Sequence, residues 1–117
     1  MIPLRLGKKP HKYKAKPVKM DGHFFDSLAE AKHYSELRLL ERAGEISELT
    51  VHPRYPITIN HQLVCIVELD FSYRDKQGLP HTDDVKGFDT ALSKLKRKMV
   101  CAAHGIEVNI VKKRKRR

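Results

Sequence analysis

The stretch Gln62–Gly87, QLVCIVELDFSYRDKQGLPHTDDVKG, determines how the centre of this chain folds. The run QLVCIVELDFSY is rich in β-branched and aromatic residues and predicts one strand, and HTDDVKG predicts the next. Gly78 and Pro80 lie between the two runs and indicate a turn. The stretch therefore predicts a β-hairpin that carries acidic residues, Asp70 on its first strand and Asp84 on its second.

Two helices are predicted on either side of this hairpin. An apolar stripe predicts a helix over about 27–43, and Gly44 follows where a C-terminal cap is expected. The second helix begins after the hairpin, with Asp89 or Thr90 as its N-cap, and ends at Gly105. Both helices can then cover a sheet that contains the hairpin.

Two further strands complete the predicted sheet. RYPITIN, at 54–60, joins the hairpin through a tight turn near Asn60 and His61, and IEVNIV, at 106–111, is the last strand. The predicted order is α-β-β-β-α-β, with one helical crossover between the third and fourth strands. We expect an α/β (α+β) fold, in which a mixed β-sheet with an antiparallel meander is flanked by helices.

Length and composition limit the class of protein. A chain of 117 residues can bury one core, and no apolar run approaches the roughly 20 residues that a membrane-spanning helix requires. The first residues lack the apolar segment of a signal peptide, so we expect a cytoplasmic protein. Cys65 and Cys101 have no zinc-site spacing, and we interpret both as buried small hydrophobes.

The net charge of +10 is concentrated at the two ends of the chain. Residues 1–19 contain seven lysines or arginines and no acid, and residues 112–117 are six basic residues. All 14 acidic residues lie between 20 and 111, where they outnumber the basic ones. We therefore divide the chain into a basic N-terminal arm (1–19), a core domain (20–111) and a basic C-terminal tail (112–117).

The basic ends are candidate arms for nucleic acid. Lysines and arginines that neutralise phosphates release counterions, which gives strong binding without sequence preference. Neither end has the apolar face of an interfacial helix, so a membrane partner is not expected. The alternative is a pair of solubilising ends. The candidate DNA contacts in these segments are Lys12, Lys14, Lys112, Lys113, Arg114 and Lys115.

The acidic residues of the hairpin predict a metal site. Side chains alternate along a strand, so Asp84 and Lys86 share one face, while Asp83 and Val85 share the other. Across the hairpin, Asp70 can face Asp84 with Cβ atoms about 5 Å apart. Two facing carboxylates favour a hard divalent cation such as Mg²⁺, to which the carbonyl of Val85 could add a ligand.

The chemistry that such a site supports is phosphodiester hydrolysis. The ion would acidify a water and polarise phosphoryl oxygens, and Lys86 would orient the attacking water or stabilise charge in the transition state. The alternatives are a structural salt bridge between Asp84 and Lys86, or an exposed edge with solubilising charges.

These residues resemble the PD-(D/E)XK nuclease superfamily. FFDSLAEAKHYSELRLLERAGEISEL and DDVKGFDTALSKLKRK are similar to sequences of small phage endonucleases related to phage endonuclease I and Holliday junction resolvases. The resemblance implies a nuclease-like fold, a Mg²⁺ or Mn²⁺ cofactor, a homodimer with two active sites, and branched DNA as substrate. It also implies a phage or prophage protein that acts inside a bacterial host cell.

The resemblance assigns roles to individual residues. Glu30 corresponds to an acid of the first helix, Asp70 to the acid of the central strand, and Asp84 and Lys86 to the signature pair. Lys96 falls where relatives have a basic residue near the scissile phosphate. This chain departs from the motif at one position, because Leu69 precedes Asp70 where the P of PD-(D/E)XK stands for proline.

Several assignments leave an alternative open. Glu30 lies three residues after Ser27, which is also the spacing of a capping box. His81 is a surface residue or a general base. The basic residues of the second helix either contact phosphate or form its solvated face; they are Lys94, Lys96, Arg97 and Lys98.

Three functions fit the sequence. The first is a metal-dependent endonuclease selective for branched DNA, and the second is a nuclease of the same fold that cleaves duplex or single-stranded DNA without branch selectivity. The third is a nucleic-acid-binding module without enzymatic activity, in which the carboxylates are structural.

Overall fold

The computed structural model of this chain describes the backbone of residues 4–6 and all atoms of residues 17–112. Within these residues the chain forms nine strands and two helices. In chain order they are β1 (Leu4–Leu6), β2 (Val18–Met20), β3 (His23–Phe25), α1 (Leu28–Arg42), β4 (Ile46–Val51), β5 (Arg54–Ile59), β6 (Gln62–Glu68), β7 (Phe71–Asp75), β8 (Pro80–Lys86), α2 (Ala91–His104) and β9 (Val108–Lys112).

The central element is a four-stranded mixed sheet with the strand order β4-β7-β8-β9. The pairs β4–β7 and β7–β8 are antiparallel, and β8–β9 is parallel. A parallel pair needs a crossover connection, and α2 supplies it, as the sequence predicts. The predicted α+β class, with a mixed sheet and two helices, is confirmed.

A second sheet has the order β1-β6-β5. Its hairpin β5–β6 turns at Asn60 and His61, which both have positive φ angles (48° and 63°), as a two-residue type I′ turn requires. A separate short hairpin, β2–β3, turns at Asp21 and Gly22. Parts of the predicted N-terminal arm are therefore strands, because β1 pairs with β6 and β2 with β3.

The prediction of one continuous strand over 62–73 is wrong. The chain leaves β6 at Glu68 and enters β7 at Phe71, so the two halves belong to different sheets. The amide of Leu69 donates to the Pro53 carbonyl, which ties the junction to the segment between β4 and β5. Leu69 and Phe71 have the same strand parity but pack in different core clusters, so local composition could not reveal the break.

Strand β4 and the β2–β3 hairpin are absent from the sequence prediction. The alternation of β4 is interrupted by a register shift between Ser47 and Thr50, and Glu48 has a positive φ of 55°. A strand with such a bulge does not show a clean period of two. β2 and β3 contain three residues each, which is too short for a periodic signal.

Both helices begin and end where the sequence predicts. Ser27 caps α1 by accepting a hydrogen bond from the Glu30 amide at 3.2 Å. Thr90, one of the two candidates, caps α2 by accepting from the Ser93 amide at 3.1 Å. Gly105 ends α2 in the left-handed conformation that favours glycine.

The core of the described residues contains two hydrophobic clusters. The first cluster packs α1 against the four-stranded sheet and contains Phe25, Ala31, Tyr34, Leu37, Ile46, Phe71 and Val85. The second packs α2 against the β5–β6 hairpin and contains Ile57, Cys65, Val67, Leu69 and Val100. Cys65 is buried as predicted. The prediction that Cys101 is buried is wrong, because the neighbouring Val100 occupies the buried face of α2 and Cys101 is exposed.

Neither helix in residues 17–112 has the length and apolar composition needed to cross a bilayer.

Candidate metal centre

Asp70 lies at the junction of β6 and β7 and is completely buried. Its Oδ2 accepts a hydrogen bond of 2.7 Å from the Val85 amide on β8. The pairing of Phe71 with Asp83 places the preceding residue, Asp70, opposite Asp84. The two acids therefore face each other across adjacent segments, as the sequence predicts.

Asp84 and Lys86 lie on one face of β8. The Lys86 Nζ is 3.1 Å from the Asp84 Oδ2. Burial raises the pKa of the Asp84 carboxyl, and the charge of Asp70 raises this pKa further, while Lys86 lowers it. A cation near Asp70 and Asp84 would relieve the cost of holding two charges in this buried place.

Glu30 lies in the first turn of α1 and is also buried. Its Oε2 accepts from the Asp26 amide at 3.3 Å, so the carboxylate does contribute to the N-terminus of the helix. A ligand atom of Glu30 also lies within 4.8 Å of ligand atoms of Asp70 and His52. Capping and a place in the acidic site therefore coexist in one side chain.

His52 also belongs to this site, although no feature of the sequence predicts it. It lies with Pro53 between β4 and β5, and its amide donates to the Asp70 carbonyl at 2.9 Å. Its ring also packs 5.9 Å from that of Phe25. No local motif marks this histidine, since the fold alone brings the end of β4 beside the junction of β6 and β7. We call the four residues Glu30, His52, Asp70 and Asp84 the acidic centre.

Arg97 lies beside Asp84. Its Nη1 is 3.8 Å from the Asp84 Oδ2, and its guanidinium forms two hydrogen bonds with Asp89, of 2.9 and 2.7 Å. This contact with Arg97 lowers the pKa of Asp89. Arg97 lies between Ser93 and Val100 on the buried side of α2, because residues four and three apart share a helix face.

The other basic residues of α2 differ in exposure. Lys94 and Lys98 are exposed, and Lys96 is partly buried. The role near the phosphate that the resemblance implies for Lys96 stays a prediction, and Arg97 adds a second basic side chain of α2 beside Asp84.

The remaining predicted residues have different outcomes. The Val85 amide contacts Asp70, while a role for its carbonyl stays a prediction. His81 stacks on Tyr73 and lies 2.8 Å from the Asp75 carboxylate, away from Asp70 at the other end of β7. The predicted DNA contacts Lys12, Lys14, Lys113, Arg114 and Lys115 lie outside the described residues.

The C-terminal tail begins beside the acidic centre. Lys112 is exposed at the end of β9 and pairs in register with Lys86 of β8. Residues 113–117 add five more lysines and arginines directly after it. The first basic residue of the tail is therefore on the strand next to Lys86.

Asp83 lies on the opposite face of β8 and has a different environment. Its Oδ2 is 2.8 Å from the His33 Nε2 of α1. Its Oδ1 accepts from the Tyr73 hydroxyl at 3.2 Å and from the Asn109 side chain at 3.1 Å. Asp83 is thus a hydrogen-bonded link between α1, β7 and β9, separate from the acidic centre.

Fold and site together describe an α+β protein with a buried centre of carboxylates, an imidazole and flanking cations. Residues 10–115 match the family described as "Protein of unknown function (DUF1064)", and the chain belongs to this family. No curated protein and no solved structure matches the chain.

Proposed function

We propose that this protein is a metal-dependent DNA endonuclease that hydrolyses phosphodiester bonds and is selective for branched DNA, like Holliday junction resolvases. The observation that carries the proposal is a chain of contacts between α1, the β6–β7 junction and β8. Ligand atoms of Glu30 and Asp70 lie within 4.8 Å of each other, Asp70 faces Asp84, and Asp84 pairs with Lys86. Residues up to 56 positions apart converge on one buried place. A hydrophobic core is stable without such a cluster of acids, and buried charges are costly unless they are paired. The cluster therefore indicates a functional role.

The order of elements supports a PD-(D/E)XK nuclease-like fold. α1, β4, β7, β8, α2 and β9 follow the order α-β-β-β-α-β, and their four strands form one mixed sheet. The β5–β6 hairpin is inserted between β4 and β7. Asp70 is then at the start of the central strand, and Asp84 and Lys86 are on the strand beside it.

The donors of the acidic centre suit a Mg²⁺ or Mn²⁺ cofactor. Three carboxylates and one imidazole offer mainly oxygen ligands, which both ions accept. Such an ion, held by Glu30, Asp70 and Asp84, would polarise the phosphoryl oxygens and acidify the attacking water. Manganese and magnesium are therefore the first cofactors to test.

The other charged residues serve the reacting phosphate in this proposal. Lys86 is held by Asp84 and presents a compact ammonium group that stabilises negative charge on the phosphate in the transition state. Arg97 is anchored by Asp89, so its guanidinium is held in a defined orientation beside the same acid. Positioned cations of this kind need little reorganisation during the reaction.

The substrate in this proposal is DNA, bound through the basic ends. The tail starts at Lys112, which pairs in register with Lys86, so a phosphate bound by Lys112 would lie close to the acidic centre. Selectivity for branches would come from two active sites in a homodimer. Each active site would cleave one of two DNA strands, whose distance and orientation are set by the four-way junction.

Cleavage assays test the proposal directly. The purified protein is incubated with Mg²⁺ or Mn²⁺ and a four-way junction, a linear duplex or a single strand. We expect cleavage of the junction in preference to the other two, and loss of cleavage in Asp70→Asn. Asp75→Asn is the matched control, because this acid lies at the other end of β7 and contacts His81.

Binding assays distinguish the alternatives. With Ca²⁺ in place of Mg²⁺, Asp70→Asn should still bind the junction. Equal cleavage of all three substrates would support a nuclease of the same fold without selectivity for branched DNA. DNA binding without cleavage in any divalent ion would contradict the proposal and support a binding module without enzymatic activity.

A further inference from the structure

We propose that His52 is a direct metal ligand together with Glu30 and Asp70, and that its imidazole makes the acidic centre bind Mn²⁺ more tightly than Mg²⁺. The inference depends on the proposed function in one respect, which is that a metal ion binds at the acidic centre. It specifies which class of metal binds there, which the carboxylates alone do not determine.

The first support is the spacing of the three ligand atoms. Those of Glu30, His52 and Asp70 all lie within 4.8 Å of one another. In an octahedral site with bonds of about 2.1 Å, neighbouring ligands are roughly 3 Å apart and opposite ones roughly 4 Å. One ion can therefore contact all three side chains after small adjustments.

The second support is the way in which the backbone fixes His52. Its amide bonds to the Asp70 carbonyl at 2.9 Å, and the Leu69 amide bonds to the Pro53 carbonyl at 3.0 Å. These two bonds hold the residues between β4 and β5 against the segment that carries Asp70. The histidine and the acid are thus held side by side by backbone hydrogen bonds between two chain segments.

His52 has a left-handed backbone conformation. Its φ is +55°, in the left-handed region, which costs a non-glycine residue roughly 1–2 kcal/mol. The following proline further restricts the conformations open to His52. A conformation of this kind persists where the surrounding structure holds it, and such residues are frequent at functional sites.

The choice of metal follows from the donor type. Carboxylates alone suit Mg²⁺, Ca²⁺ and Mn²⁺, whereas imidazole nitrogen suits transition metals. Mg²⁺ also gives up its waters reluctantly and prefers oxygen. An acidic centre in which an imidazole joins the carboxylates as a ligand therefore binds Mn²⁺ in preference to Mg²⁺. Without the imidazole, the preference would become small.

Spectroscopy on the protein without DNA tests this inference. Mn²⁺ bound to the full-length chain is examined by pulsed electron paramagnetic resonance, which detects a directly bonded ¹⁴N nucleus. Affinities for Mn²⁺ and Mg²⁺ are measured by calorimetry. We expect a nitrogen coupling in the unaltered protein and tighter binding of Mn²⁺ than of Mg²⁺.

Two histidine variants provide the comparison. His52→Gln should lose the nitrogen coupling and about tenfold or more in Mn²⁺ affinity, with a much smaller change for Mg²⁺. His104→Gln is the matched control, because this exposed histidine donates to the Pro56 carbonyl and glutamine keeps a donor there. It should keep both the coupling and the affinity.

Several results would overturn the inference. They are the absence of Mn²⁺ binding, the absence of nitrogen coupling in the unaltered protein, or equal losses of Mn²⁺ and Mg²⁺ affinity in His52→Gln. The coupling in the unaltered protein needs no variant, so the test holds even if His52→Gln unfolds. Nitrogen-coupled Mn²⁺ in a protein that cleaves no DNA would contradict the nuclease proposal alone. Cleavage that depends on Asp70 without nitrogen coupling would contradict the histidine ligand alone.

Discussion

Asp83 and Asp84 are neighbours on β8, but their side chains lie on opposite faces of the sheet and in opposite surroundings. Both are almost fully buried. Asp83 has hydrogen-bond donors on both oxygens, from His33, Tyr73 and Asn109. Asp84 lies beside a second acid, Asp70, which raises its pKa.

In the proposed function, the difference separates a carboxylate that stabilises the fold from one that would bind a cation. A buried acid whose oxygens are all satisfied links its neighbours together. A buried acid beside another acid costs stability until a positive charge compensates it. The same strand thus carries a structural residue and a functional candidate, and strand alternation alone distinguishes them.

The largest expected effect follows from removing the charge of Asp84. Asp84→Asn should lower the rate of DNA cleavage about 1000-fold, since the metal supplies several kcal/mol of transition-state stabilisation. The free energy of unfolding should not fall, because the substitution removes a repulsive buried charge. Single-turnover cleavage and urea unfolding measure the two quantities. Lost activity together with a comparable loss of stability would contradict the assignment.

The next largest effect concerns Lys86. Lys86→Ala should lower the cleavage rate roughly 100-fold, since one positioned donor to a developing charge is worth that amount. Lys86→Arg should not restore full activity, because a planar guanidinium does not reproduce a compact ammonium group. Lys76→Ala is the control, since this exposed lysine lies in the turn between β7 and β8 and pairs with Glu45. Full activity in Lys86→Ala would show that this lysine is a structural partner of Asp84.

Much of this comparison could be predicted from the sequence. Strand alternation separated Asp83 from Asp84, and hairpin geometry brought Asp70 opposite Asp84, because these relations depend on neighbouring residues and one turn. The break at Leu69 depends on which core each half of the strand enters, and His52 depends on a bulged strand that shows no periodicity. Both features result from tertiary structure, so no local pattern could predict them.

A smaller effect, of the opposite kind, is expected for Asp83. Asp83→Asn should lower the free energy of unfolding by about 1–3 kcal/mol, because the amide group cannot accept from every donor that the carboxylate satisfies. The affinity of the folded protein for Mn²⁺ should not change. Urea unfolding and calorimetry measure these two quantities. If Asp83→Asn weakened Mn²⁺ binding as strongly as Asp84→Asn, the separation of a structural face and a metal-binding face of β8 would be wrong.

The smallest effect is a pH dependence of stability that comes from His33. Burial by itself lowers the pKa of His33, but the hydrogen bond and charge of Asp83, with the charge of Glu36, raise it overall. The pKa in the folded protein is then above the ordinary value of 6.5. The stabilisation is therefore complete below that ordinary value and is lost as the pH rises through the folded pKa.

The measurement is urea unfolding at roughly pH 5.5 and pH 8.5, on either side of the ordinary histidine value. His33→Gln should lose more stability, relative to the unaltered protein, at the acidic pH than at the alkaline one. A loss that is equal at both pH values, or larger at the alkaline one, would contradict the raised pKa. Asp83→Asn should remove most of this pH dependence, because it removes the partner of His33, whereas Asp84→Asn should leave it in place, because its carboxylate lies on the other face of β8.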